Sequence, residues 1–162
     1  MCVSIIVGVI IGSIISSNLF PTTKIESKIF SENGMSITLT NEFKEYKTEQ
    51  YTNCYDSANV AVFALKEEFD LVEGFGNYSI NQYADLVLQN NNVSSTKLKN
   101  QDGLLHFEYE FQHPDTNKTY KYFTFLYKGN DAFWLVQFAT LQENVDEYKP
   151  KIFEWAKTVS FE

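Results

Sequence analysis

Three segments in the second half of the chain do most to limit its fold: LLHFEYEF (104–111), TYKYFTFLY (119–127) and AFWLVQFAT (132–140). Each is rich in aromatic and aliphatic residues, a composition suited to strands that pack side chains across a sheet. The connections between them are short, so the three form an antiparallel meander. The loop HPDTN joins the first pair, and Gly129–Asn130 reads as a two-residue hairpin turn between the second pair. Charge supports both registers. Phe111 opposite Tyr120 sets Glu110 against Lys121, and the tight hairpin sets Lys128 against Asp131. That hairpin also puts Phe125 opposite Trp134.

Strand alternation then sorts the side chains into two faces. The first carries Leu105, Phe107, Tyr109, Phe111, Tyr120, Tyr122, Leu126, Phe133 and Leu135, and it reads as core. The second carries Phe123, Phe125, Trp134, Val136 and Phe138 beside the polar His106, Glu108, Glu110 and Lys121. Apolar residues on both faces of the last two strands call for cover on both sides. The polar first strand implies that the second cover stops short of it.

Other elements fit around this meander. GMSITLT (34–40) alternates as a half-buried strand, NVAVFALKEEF (59–69) is a second strand, and 94–99 is a short one before a turn at Asp102–Gly103. Ser79 and Gln82 form a capping box that opens a helix, with Ile80, Tyr83, Ala84, Val87 and Leu88 on one face. The asparagines at 90–92 are read as ending it in a left-handed cap. Tyr148, Ile152, Trp155 and Val159 mark a final helix, with Pro150 placed in its first turn. The expected class is α+β: an antiparallel sheet of about six to seven strands flanked by helices on both faces, an α/β/α sandwich, preceded by one N-terminal apolar helix.

The opening run MCVSIIVGVIIGSIISSNLF has no charged side chain. As a helix, residues 3–20 would extend about 27 Å, close to the thickness of a bilayer's hydrocarbon core. Three readings compete: a signal anchor, a cleaved secretory signal that lacks a basic n-region, and a buried element of the domain. The anchor is preferred, with Val3 and Phe20 bounding the membrane segment. Residues 1–23 are thus the anchor or signal segment, 24–29 a linker and 30–162 the domain. Ser4, Gly8, Gly12 and Ser16 recur every fourth residue, a small-residue face that allows weak self-association through Gly8 and Gly12. Lys24 and Lys28 flank only the C-terminal side, which taken literally leaves the domain in the cytoplasm. The preferred reading is a single-pass cell-membrane protein with an extracytoplasmic domain and a basic leader upstream of the first methionine. No lipoprotein attachment is expected, because Cys2 precedes the apolar run.

The succession of a GMSITLT strand, an INQYADLVL helix, an aromatic meander and a closing YKPKIFEWAKTVSF resembles the PsbP/Mog1-like proteins. The likeness spans about residues 30–162 and fits best the bacterial, membrane-attached branch of unknown function. It implies an antiparallel sheet between helices and a non-catalytic role in contacting another protein. It carries no functional residue across, because no signature motif is shared.

Composition excludes some partners. A net charge of -8, no arginine and no basic stripe argue against nucleic acid. The two cysteines, Cys2 and Cys54, form no metal or redox motif, and Cys54 reads as a small, partly buried thiol. No cofactor is expected. The candidate binding surface is the second face, where Phe125 and Trp134 adjoin His106 and Glu108 to give an aromatic patch with a polar rim. A protein partner is the first reading, and a small-ligand carrier with an aromatic pocket is the alternative. A hydrolase centred on His106 and Glu108 is the third, since the two share one strand face. His113 with Asp115 is a weaker metal pair.

Overall fold

The computed structural model describes residues 24–71, 73–91 and 96–162. In chain order the strands are β1 (Ser27–Glu32), β2 (Met35–Thr40), β3 (Lys44–Tyr46), β4 (Asn53–Asp56) and β5 (Val60–Glu68). Helix α1 (Ile80–Asn90) follows, then β6 (Lys99–Gln101), β7 (Leu104–Gln112), β8 (Thr119–Lys128) and β9 (Ala132–Leu141). Helix α2 (Val145–Lys157) and β10 (Ser160–Phe161) close the chain. The meander is the centre of a seven-stranded sheet ordered β3-β4-β5-β9-β8-β7-β6. A second, three-stranded sheet, β1-β2-β10, packs against one of its faces, and every pairing is antiparallel. The expected α+β class holds, with one strand set more than the single sheet anticipated.

Local chemistry explains most boundaries. Asn33–Gly34 and Asp102–Gly103 both have positive φ at each residue and close two-residue hairpins, as the right-handed twist of the flanking strands favours. The Ser79–Gln82 capping box is present in both directions. The β7–β8 register sets Phe111 opposite Tyr120 and Glu110 opposite Lys121.

Several details differ from the sequence reading. The β8–β9 turn is Asn130–Asp131, so Lys128 faces Phe133, Tyr127 faces Trp134 and Phe125 faces Val136. Tertiary contacts fix this choice: Asp131 binds Lys66 at 2.7 Å and accepts the Phe69 amide at its carbonyl, while Lys128 donates to the carbonyls of Gly76 and Tyr78. The slip is two residues, an even number, so every side chain keeps its face. Strand β1 begins at Ser27, inside the expected linker. Helix α2 starts at Val145 and holds Pro150 in its interior, where the Asp146 carbonyl loses its helical partner. Helix α1 has Asn91 as its C-cap with φ -92°, and the Asn91 side chain donates to the Val87 carbonyl at 2.8 Å; Asn92, the last of the asparagines expected to end the helix, lies outside the described residues. The short strand expected at 94–99 is β6, at Lys99–Gln101.

The apolar opening run, with Val3, Gly8, Gly12 and Phe20, lies outside the described residues. Among those described, no helix is long and apolar enough to cross a membrane.

Candidate functional site

The second face of the large sheet is closed. Ile152, Phe153 and Ala156 of α2 cover it, together with Met35, Ile37 and Leu39 of the small sheet. Phe161 of β10 stacks on Trp134 at 5.0 Å between ring centroids. Phe125 meets Phe153 edge-on at 5.2 Å. Phe125 and Trp134 are each 0% exposed, so the aromatic patch expected here is core instead. The cover also reaches further than expected, because α2 extends over β7 and buries His106 completely.

His106 and Glu108 do share a face, with Nε2 of His106 3.7 Å from Oε1 of Glu108. The His106 ring lies between Phe125 and Phe153, with centroids 5.4 and 5.0 Å away. Its Nδ1 donates to the Leu104 carbonyl at 3.2 Å, which leaves a lone pair on Nε2 when the ring is neutral. Burial lowers the His106 pKa, against the Leu104 bond and the Glu108 charge. Glu108 is held by Lys99 and Lys149, each at 3.1 Å, and more loosely by Lys121 at 3.8 Å. Burial pushes its carboxyl up, but Lys149 and Lys99 outweigh this and hold it below the usual range. The cluster thus ties β6 and α2 to β7, and a sealed imidazole has no path to a substrate.

The remaining sequence candidates are quiet. His113 Nδ1 accepts the Asp115 backbone amide at 3.3 Å. Cys54 is a free, buried thiol whose pKa is raised by burial, which disfavours the thiolate a nucleophile needs. Among the described residues, no group of three or more His, Cys, Asp or Glu could hold a metal ion.

The first face is different. Helix α1 sets Tyr83, Ala84, Val87 and Leu88 onto Phe107, Leu126, Phe133 and Leu135. Its 11 residues span about 16 Å, whereas a ten-residue strand such as β8 runs about 33 Å. Past the helix a separate cluster begins, with Cys54, Ala61, Phe63, Tyr122 and Ala139 buried and Tyr46, Tyr51, Tyr109, Phe111 and Tyr120 half-buried over them. The registers order this region into two cross-strand rows. One runs Tyr46–Cys54–Phe63–Gln137–Thr124–Phe107, and the next runs Lys44–Asp56–Ala61–Ala139–Tyr122–Tyr109. The adjacent alanines, 3% and 2% exposed, are buried beneath the surrounding rings. Tyr109 and Tyr122 stack at 4.8 Å on one side, and Tyr51, from the β3–β4 loop, leans on Phe63 at 5.0 Å on the other.

Polar groups lie within this aromatic region. Gln137 is 2% exposed, and its amide nitrogen donates to the hydroxyls of Tyr109 at 2.7 Å and Thr124 at 3.0 Å. Its Oε1 has no hydrogen-bond partner, and neither does the hydroxyl of Tyr122, also 2% exposed. The same holds on the sealed second face for the Tyr55 hydroxyl, His106 Nε2 and Trp134 Nε1, so a missing partner does not single out this region. The sequence reading assigned this whole face to the core. Phe107, Tyr122, Leu126, Phe133 and Leu135 are indeed buried, while Leu105, Tyr109, Phe111 and Tyr120 are half-buried at its margin.

No protein-family model matches the chain, and no curated protein matches it in sequence. Solved structures do resemble it. The solution structure of cyanobacterial PsbP (CyanoP) from Synechocystis sp. PCC 6803 matches with a TM-score of 0.51 at 9% identity, covering 93% of this chain and 100% of that one. A protein from Bacteroides thetaiotaomicron VPI-5482 matches with a TM-score of 0.51 at 14% identity, covering 79% of this chain and 45% of that one. LpqN of Mycobacterium tuberculosis, described as involved in cell envelope biogenesis, is more distant at a TM-score of 0.46 and 8% identity, covering 85% of this chain and 91% of that one. The fold is PsbP-like. At these identities the likeness is one of fold, and no residue role passes with it.

Proposed function

We propose that this chain is a non-catalytic binding domain, tethered to a membrane by its apolar opening run and displayed on the extracytoplasmic side. Its contact surface is the tyrosine end of the first sheet face. One observation carries this reading: α2 and the small sheet seal the second face, while on the first a block of half-buried tyrosines has no helix over it among the described residues. A contiguous aromatic surface of this kind favours association. The sealed position of His106 gives hydrolysis no support. Of the two partner classes the sequence allows, protein and small ligand, a margin of half-buried tyrosines over a closed core favours a protein.

Tyrosine footprinting tests the proposal. The full chain is treated with tetranitromethane in intact cells and again after purification, and nitration is mapped by mass spectrometry. Protection of Tyr51, Tyr109 and Tyr120 in cells, relative to the purified chain, is the expected result. Equal labelling in both would remove the tyrosine face as the contact surface. External protease on the same cells should digest the domain, and a protected domain would place it in the cytoplasm.

A further inference from the structure

An edge strand leaves a row of backbone N–H and C=O groups open to pairing with another chain. Among the described residues, three of the strands at the ends of the two sheets, β3, β6 and β10, are only two or three residues long. The fourth, β1, has six residues and pairs with β2 in one unbroken register, with no bulge to blunt it. The two-residue turn at Asn33–Gly34 makes Glu32–Met35 the closing hydrogen-bonded pair, so bonding to β2 continues through alternate residues, Phe30 and Lys28. Thr38, opposite Ile29, fits this alternation: its amide turns away from β1 and donates to Oγ1 of Thr158 at 2.9 Å. The N–H and C=O groups of Ser27, Ile29 and Ser31 therefore face the open edge. Ile29 is also 69% exposed, the most exposed large hydrophobic side chain among the described residues.

The charges on β1 suit a strand of its own kind. Lys28 and Glu32 flank Phe30 on one face, both exposed. Lys28 lies over the Phe30 ring at 4.4 Å. Glu32 hydrogen-bonds a second carboxyl, Glu45 of β3, which raises the Glu45 pKa. An antiparallel partner must set its own outward-facing residues against Ser27, Ile29 and Ser31. In a second copy, Ile29 opposite Ser31 meets this condition and places Lys28 opposite Glu32, twice by symmetry. A shift of two residues one way would set Glu26 against Glu32, and the other way would set Lys28 against Gly34 in the turn.

We propose that β1 is a self-association edge, at which two copies of this chain pair antiparallel with Ile29 opposite Ser31 and Lys28 opposite Glu32. The contact joins two three-stranded sheets into one of six strands, with β1 against β1 at its centre. It satisfies the outward backbone groups of Ile29 and Ser31 and brings the two exposed Ile29 side chains to diagonal positions on the outer face. It is independent of the tyrosine face, which belongs to the large sheet. One short strand per copy is a small interface, so association is weak and concentration-dependent.

Sedimentation of the full chain in a zwitterionic detergent, over a concentration series, tests the pairing. The unaltered chain should form a dimer as concentration rises. Lys28→Glu and Glu32→Lys each set two like-charge pairs across the edge, and each should weaken dimerisation about tenfold. Mixed together, the two variants present opposite charges at both positions and should recover it. The thermal midpoint of each variant checks that it folds. Hydrogen exchange on the unaltered chain gives a readout that needs no variant. Exchange at the Ile29 and Ser31 amides should slow with concentration, while that at Lys28 and Phe30, already bonded to β2, should not change. A chain that stays monomeric overturns the proposal, as does exchange at Ile29 and Ser31 that ignores concentration. Variants that fail to recover when mixed overturn it too. Dimerisation indifferent to both charge reversals would also overturn it and move self-association to another surface, such as that of Gly8 and Gly12.

Discussion

Two aromatic clusters lie on opposite faces of the same seven-stranded sheet and meet different fates. Phe125 and Trp134 sit among apolar neighbours on the second face and are sealed by α2, β2 and β10. Tyr120 and Tyr122 sit on the first face in a cluster separate from the α1 contacts, Tyr122 buried and Tyr120 half-buried, and Tyr109 packs against both clusters. Their strands are the same and their alternation is equally clean. The faces differ in the area of cover that the rest of the chain supplies. An aromatic strand face is only an opportunity for a site, and what packs over it decides between core and surface.

Mutation provides the strongest way to break this contrast. Trp134→Ala is expected to cost about 3–5 kcal/mol, as for a buried aromatic, and Tyr120→Ala about 1 kcal/mol or less. Urea unfolding of both variants measures the two values. Equal losses would mean that the tyrosine end is as much core as the tryptophan.

A pH titration sharpens the same comparison. His106 has its pKa depressed by burial, so the unfolded chain takes up a proton before the folded one does. Stability should therefore fall as pH drops below about 6.5, and the Glu108 contribution should be lost at still lower pH, as that carboxylate protonates. On the first face, burial raises the phenols of Tyr51, Tyr109 and Tyr122. Their contribution is intact below about pH 10 and is lost as pH rises above it, because the unfolded phenols ionise first. Melting curves should show His106→Phe flattening the acid limb and Tyr122→Phe flattening part of the alkaline limb. An alkaline limb unchanged by Tyr122→Phe would disconnect the first face from it.

The smallest expected effect concerns the edge of the helical cover. Ser79 accepts the Gln82 amide while Gln82 accepts the Ser79 amide, and Ser79→Ala should cost about 1 kcal/mol. If α1 is the cover of one half only, hydrogen exchange should quicken around Leu126 and Leu135 and stay unchanged around Tyr122 and Ala139. Faster exchange at both ends would show that α1 stabilises the whole face.

The candidate site was only partly legible in the chain. His106 and Glu108 were placed on one face correctly, because alternation is a local rule. Their burial was not foreseen, since it depends on α2 starting at Val145 and reaching Glu108 through Lys149. Strands β3 and β4 are three and four residues long, too short for a period to declare itself, yet they supply Tyr46, Cys54 and Asp56 to the tyrosine face. The β1–β2–β10 sheet was also hidden, because the two-residue β10 exists only through its pairing with β2.

Strand alternation, the capping box and cross-strand charge determined from sequence alone that an antiparallel meander would form, which residues share each face, and where α1 begins. These rest on interactions between residues close in sequence or across one turn. Tertiary structure decided the β8–β9 register, through Lys66 and Lys128, and the sealing of Trp134, through Phe161. It also decided which residues of the first face stay half-buried, because cover depends on how far a helix reaches over strands longer than itself, and no local pattern encodes that distance.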